Sequence, residues 1–252
     1  MKRLLAFLFL LSLTLGACAS PATPAPYAPD TPSPAIIDAP LVDSPLLVAV
    51  HFVNSLDGWG VTETQIVRTN DGGITWYNVT PPGLSETGYS VRLEVLDTGH
   101  AWVQMPDYDN YPRGGTLYRT SDGGLSWTSS PSPFSGGDIH FLDADNGWVL
   151  ADLGVGAGSN AVAVFQTTDG GSTWTQKFTN DPNLAGSGDS LPLGGQKAGI
   201  APVSMQTAFV YGVTYAPGTP YLFRTDDGGA NWRPVDLPLP PGAGGGGASG
   251  VS

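Results

Sequence analysis

The sequence predicts an all-β chain folded as a β-propeller of four-stranded antiparallel blades, with four blades visible, on three observations. First, the stretch RTNDGGITW (68–76) recurs as RTSDGGLSW (119–127), QTTDGGSTW (166–174) and RTDDGGANW (224–232). The intervals between the aspartates at 71, 122, 169 and 227 are 51, 47 and 58 residues, in the range that marks propellers and solenoids. Second, the 252 residues include 35 glycines and 23 prolines, and no stretch of the domain sustains helical periodicity. Third, the strand before each box is apolar on both faces. In TLYRT, Leu117 and Arg119 share one face while Tyr118 and Thr120 share the other. Val164 and Phe165 point apart in the same way, as do Leu222 and Phe223. Such strands need cover on both sides, which sheets stacked around an axis supply.

Along the chain, Lys2 and Arg3 precede LLAFLFLLSLTL, an apolar core of signal-peptide length that ends in LGAC, Leu15 to Cys18. Residues 1–17 are thus expected to be a signal peptide, and LGAC resembles the lipobox of bacterial lipoproteins. That resemblance implies lipidation of Cys18, a lipid anchor in a membrane and an extracytoplasmic location. Cys18 is the single cysteine, so no intrachain disulfide can form. Residues 18–45 carry eight prolines and read as an extended tether. The propeller is expected over 46–237, with blades at about 47–80, 89–131, 137–179 and 197–237. A glycine-rich tail follows at 238–252.

Within each unit the order is an apolar inner strand, a turn with an aromatic, the two-faced strand, the box and a polar edge strand. VHFVNSLDGWGV (50–61), LEVLDTGHAWV (93–103) and IHFLDADNGWVL (139–150) supply the first half, and APVSMQTAFVYG (201–212) is a weaker copy with Phe209 for tryptophan. The last strands are expected at 75–79, 126–130, 173–178 and 231–236. In the box, glycines supply positive φ, the aspartate accepts bonds from nearby backbone N–H groups, and the tryptophan fills the gap between sheets.

The pattern Ser/Thr-x-Asp-x-Gly-x-Thr-Trp resembles the Asp-box, or BNR, repeat of bacterial sialidases, sortilin and the photosystem II assembly-factor propellers. Thr69, Asp71, Gly73, Thr75 and Trp76 match it throughout, as do Thr167, Asp169, Gly171, Thr173 and Trp174. Asp122, Gly124 and Trp127 match with Ser126 for threonine, while Asp227, Gly229 and Trp232 match with Asn231 in that place. The doubled glycine and the companion F…GW element are most similar to the photosystem II assembly/stability-factor-like group. In these families the boxes are structural and lie away from the functional face. The resemblance implies a non-catalytic scaffold that holds a newly made photosynthetic subunit. Members of that group use an arginine-rich patch, from which this arginine-poor chain departs.

Composition narrows the alternatives. The formal charge is −12 with Lys2 and Arg3 included, hence −14 once two cations are removed with the signal. That disfavours nucleic acid and anionic headgroups. A glycoside hydrolase of sialidase type, or a carbohydrate-binding cell-surface protein, is the other reading. Outside the repeat, only Arg92, Arg113 and Arg233 remain for a sugar carboxylate, and Arg92 and Arg233 sit on strand positions rather than in an obvious pocket. The three glutamates (Glu63, Glu86, Glu94) leave few carboxylate pairs. His51, His100 and His140 read as strand or turn residues. DADNG (143–147) lacks the ligand spacing of a calcium loop and reads as a tight hairpin turn, while DYDN (107–110) is a weaker candidate cation site. No catalytic residue, metal or cofactor is therefore expected.

Loops between second and third strands gather at one end with the connections between blades: 106–115, 153–161, 214–220 and 179–196. Tyr108, Tyr111, Arg113 and Tyr215 are the candidate contacts for an unidentified protein partner. Four blades leave three forms open: an open arc, a tight four-bladed ring, or two copies completing a ring. An arc would expose apolar blade faces and invite self-association.

Overall fold

A computed structural model describes residues 39–84, 87–214 and 220–236. Cys18, Tyr215 and the glycine-rich tail lie outside the described residues. The fold is a four-bladed β-propeller, each blade an antiparallel sheet of four strands in chain order. The first blade holds β1 (Leu47–Phe52), β2 (Gly58–Thr62), β3 (Ile66–Thr69) and β4 (Tyr77–Asn78). The second holds β5 (Arg92–Val95), β6 (Ala101–Pro106), β7 (Gly115–Thr120) and β8 (Thr128–Ser132). The third holds β9 (Gly137–Phe141), β10 (Gly147–Gly156), β11 (Ser159–Thr167) and β12 (Thr175–Thr179). The fourth holds β13 (Gln196–Pro202), β14 (Ala208–Val213), β15 (Pro220–Thr225) and β16 (Arg233–Pro234). The only helical turn among the described residues is a short 3-10 turn at Gly88–Ser90.

The core lies between blades, as it must when a sheet is apolar on both faces. Trp59, Val61 and Ile66 of the first blade meet Ala101, Val103 and Tyr118 of the second. Trp102, Leu117 and Phe134 of the second meet Phe141, Val149 and Phe165 of the third. Trp148, Leu150, Val162 and Val164 of the third meet Ile200, Val210 and Tyr221 of the fourth. Each of the three apolar clusters thus joins consecutive blades.

Two details differ from the sequence expectation. The edge strands begin after the box tryptophan, because that indole leaves the sheet for the gap against the preceding blade. Trp127 packs with the first cluster, Trp174 with the second and Trp232 with the third. The expected loop at 153–161 is instead a continuation of β10 and β11 around a two-residue turn. Ala157 (φ 41) and Gly158 (φ 86) both take positive φ, the conformation that matches hairpin twist.

Candidate functional site

The two ends of the propeller are built differently. At one end lie the four boxes, each at the turn between the third and fourth strands. Asp71 Oδ1 accepts from Thr75 N at 2.9 Å and from Thr69 Oγ1 at 2.9 Å. Asp122 accepts from Ser126 N and Thr120 Oγ1 at 2.9 and 2.8 Å, and Asp169 from Thr173 N and Thr167 Oγ1 at 2.9 and 2.8 Å. Asp227 accepts from Asn231 N at 3.0 Å, and Asn231 Nδ2 replaces the missing hydroxyl at 2.9 Å. Burial works to raise these four carboxyls, but the bonds from residue 75, 126, 173 or 231 outweigh it and hold them below the usual carboxylate range. The four aspartates stay in four separate turns and converge on no common cleft.

The opposite end carries a cleft of about 400 Å³ between the second, third and fourth blades. It forms where the first strands begin and the second strands end. Its rim is aromatic: Tyr89, Tyr108 and Tyr111 line it and are 90%, 59% and 56% exposed. Tyr108 and Tyr111 stand on the loop from Asp107 to Gly114, which is tied to the third blade. Ser135 Oγ donates to Gly114 O at 2.7 Å and Ser135 N to Pro112 O at 3.1 Å. Asp107 closes the loop from inside by accepting from Asn110 Nδ2 at 2.7 Å.

The walls are polar. Asp138 is the second residue of β9, and its Oδ2 accepts from Ile200 N of the fourth blade at 2.9 Å and from His140 Nε2 at 3.1 Å. Burial works against its charge, yet these bonds hold Asp138 below the usual carboxylate range. His140 is pushed up to about 10 by its bond to Asp138 and by Glu94. The Glu94 contact, at 3.6 Å, is an ion pair rather than a hydrogen bond. Asp152, one residue past the stretch of β10 that pairs with β9, accepts from Gly154 N at 3.0 Å. Burial and the nearby charge of Asp152 raise the Tyr111 hydroxyl above its ordinary value. Asp138 lies opposite Leu150, so Asp152 is its diagonal neighbour on the same face of the β9–β10 pair. Diagonal neighbours stand roughly 7–8 Å apart.

Two further groups shape the floor. Gln104 is buried, and its Nε2 donates to Ser132 Oγ at 3.0 Å and to Phe134 O at 3.3 Å, while its Oε1 has no partner among the described residues. Lys197 donates to Leu193 O at 2.7 Å and to Asn160 O and Gly195 O at 3.1 Å, and stands 5.1 Å from the Tyr221 ring. Burial without a carboxylate partner brings its ammonium down to about 8.

Of the sequence candidates, the structure brings Tyr108 and Tyr111 to the cleft and leaves Arg113 exposed on the same loop, away from the lining. Arg92, expected outside any pocket, lines the cleft, because the first residue of an inner strand opens onto this end of the axis. Asp138, Asp152, Tyr89, Gln104 and Lys197 were not expected. They share one signal: each breaks the apolar pattern at the mouth of a first or second strand or on the connection leading into one. Among the described residues, no group of three or more His, Cys, Asp or Glu side chains is placed to hold a metal ion.

No protein-family model matches the chain. It is similar to a probable oligoxyloglucan-reducing end-specific xyloglucanase of Neosartorya fischeri, 28% identical over 218 residues, covering 74% of this chain and 26% of that protein. It is also similar to a xyloglucanase of a Paenibacillus species, 31% identical over 158 residues, covering 53% of this chain and 15% of that protein. The chain thus spans about a quarter of the first relative and less than a sixth of the second. Among solved structures it resembles YCF48 bound to a D1 peptide, with TM-score 0.47, 16% identity, and 82% of this chain against 62% of that one. An ancestral GH74 enzyme gives TM-score 0.46 at 16% identity, with 75% of this chain and 25% of that one covered.

The curated relatives correct the expectation of a non-catalytic scaffold and the reading of the chain as no enzyme, since both carry the names of enzymes acting on a glycan. The few arginines left for a sugar carboxylate bear only on an acidic sugar.

Proposed function

We propose that this chain is a glycan-directed propeller of glycoside-hydrolase type, acting on a neutral β-glucan of the xyloglucan kind through the cleft beside Tyr108 and Tyr111. The observation that carries this reading is the cleft itself: three exposed tyrosines around two diagonal carboxylates. Sugar rings present apolar C–H faces that stack on aromatic rings, while their hydroxyls take the polar groups between them. The names of the curated relatives support the substrate class.

In this reading Tyr89, Tyr108 and Tyr111 hold successive sugar rings. Asp138, kept ionised by Ile200 N and His140, is the base that activates water. Asp152 beside Tyr111 is the acid that protonates the departing oxygen. A carboxyl separation of roughly 6.5–9.5 Å is what leaves room for that water and inverts the anomeric carbon.

The test is reducing-end release from xyloglucan and its oligosaccharides, with calorimetric binding alongside. Wild type is expected to bind and cleave, Asp152→Asn to bind without cleaving, and the Tyr108→Ala, Tyr111→Ala double variant to lose about tenfold or more in affinity with an unchanged melting temperature. Wild type that neither binds nor cleaves these glycans would end the reading.

For display, we propose that Cys18 is lipidated and that residues 18–45 hold the propeller outside the membrane. Incorporation of labelled palmitate that survives Cys18→Ala would contradict this.

A further inference from the structure

Each blade grips the next in the same way. The aromatic of the second strand pairs across the ladder with a polar side chain on the third: Trp59 with Arg68, Trp102 with Arg119, Trp148 with Gln166 and Phe209 with Arg224. The polar group then reaches into the following blade. Arg68 Nη1 donates to Gly123 O at 3.2 Å, Arg119 Nη1 to Asp169 O at 3.5 Å and Gln166 Nε2 to Met205 O at 2.7 Å. The two arginines lie directly on the first glycine of the following box. A Cβ at Gly123 would stand 1.6 Å from Arg68 Nη1, and one at Gly170 would stand 2.0 Å from Arg119 Nη1.

The fourth blade carries the same grip facing outward. Arg224 lies 5.6 Å from the Phe209 ring, as Arg119 lies 6.0 Å from Trp102. Its Nε and Nη2 both donate to Asp226 on its own turn, which also accepts from Arg233 Nη2 at 2.8 Å, and among the described residues no side-chain hydrogen bond of Arg224 reaches an acceptor of another blade. Val213, further along the same face of β14, is 56% exposed.

The first blade carries the receiving half. Gly72 takes φ 75 like the other first box glycines, yet only Ser55 O lies within 4 Å of where its Cβ would be. Phe52 meets Trp76 edge-on at 6.4 Å and 73°, the counterpart of Phe141 and Trp174 at 6.1 Å and 71°. Between the second and third blades, Trp102 stacks on Phe141 at 3.6 Å and leaves it 7% exposed. Phe52 is 45% exposed, and none of the three apolar clusters joins the first blade to the fourth.

We propose that the fourth blade of one copy of this chain docks on the first blade of a second copy, with Arg224 over Gly72 and Phe209 against Phe52. The occupant is a second copy because these two faces, which have no partner among the described residues, are the two halves of the joint already made between the second and third blades, and both reside on one chain. Two such contacts related by a two-fold axis close a pair, so that the whole interface is isologous.

Sedimentation of the full chain in detergent tests this against two single variants. Arg224→Ala removes the grip, and Gly72→Asn fills its seat with a residue that tolerates positive φ. Wild type is expected as a dimer, and each variant to dissociate at least tenfold more readily with an unchanged melting temperature at high dilution. An equal mixture of the two variants is expected to associate more strongly than either alone, because one intact grip meets one intact seat. A wild type that stays monomeric at tens of micromolar overturns the proposal. So does a dimer indifferent to both variants, or a mixture no better than its components.

Discussion

The box end and the cleft end of this propeller both concentrate carboxylates, but they use them in opposite ways. At the box end each aspartate is satisfied within its own turn, over 2.9 Å to 3.0 Å from the backbone four residues on, and the arrangement repeats in all four blades. At the cleft end Asp138 reaches across blades to Ile200 N and Asp152 faces Tyr111; Asp138 has no acidic counterpart in the other repeats, and Asp152 has one, Glu63, four residues after Trp59 as Asp152 is after Trp148. A carboxylate that recurs with its own donors braces the frame. One that stands beside exposed aromatics at the mouth of a strand, without donors of its own turn on every side, is where chemistry can be placed.

The largest expected effect sharpens the frame side. Trp102 is fully buried, stacks on Phe141 and donates to Gly170 O at 2.9 Å. Trp102→Ala should cost about 3–5 kcal/mol, read as a fall in the denaturant midpoint at unchanged slope. Next come the paired glycines. Gly72→Ala and Gly170→Ala each force a side chain into left-handed backbone, costing roughly 1–2 kcal/mol. Gly170→Ala should lose about 0.5–1.5 kcal/mol more by displacing Arg119. Equal losses, compared where the chain is monomeric, would mean that Arg119 contributes nothing at that joint.

The smallest effect is on pH. The folded value of His140, about 10, lies above its ordinary 6.5. Its contribution to stability is therefore complete below about 6.5 and is lost as the pH rises through about 10. The box carboxyls are lowered, so their contribution is present above their ordinary 3.8 and is lost as the pH falls through their folded values. Lys197 runs against His140, because a folded value of about 8 below 10.5 makes stability rise between those two points. His140→Gln should flatten the decline between pH 6.5 and 8, before Lys197 intervenes. A melting curve that declines there as steeply in the variant would remove His140 from the account.

Much of the fold was legible because the box repeats locally. Its spacing, glycines and indole describe one turn whose donors all lie within six residues, so Asp71 or Asp169 can be placed without tertiary information. The edge strands were placed two residues early because the box tryptophan leaves the sheet to reach the preceding blade, a long-range event. The cleft was less legible for the same reason. Tyr108 and Tyr111 stand out on a tyrosine-bearing loop, but Asp138 and Arg92 look like ordinary strand residues until blade stacking brings their strand ends together. The arginines at 68, 119 and 224 were counted as part of the repeat; that they grip the following blade shows only once Gly123 and Gly170 are seen beneath the first two.

The central claim, that box carboxylates brace and cleft carboxylates react, is tested most directly by measuring melting temperature and xyloglucan cleavage together in Asp122→Asn and Asp152→Asn. Asp122→Asn is expected to melt several degrees lower, for about 1–2 kcal/mol of lost bonding, with cleavage retained. Asp152→Asn is expected to melt like wild type and to cleave nothing. The account is contradicted if Asp122→Asn abolishes cleavage at an unchanged melting temperature, or if Asp152→Asn cleaves as wild type does.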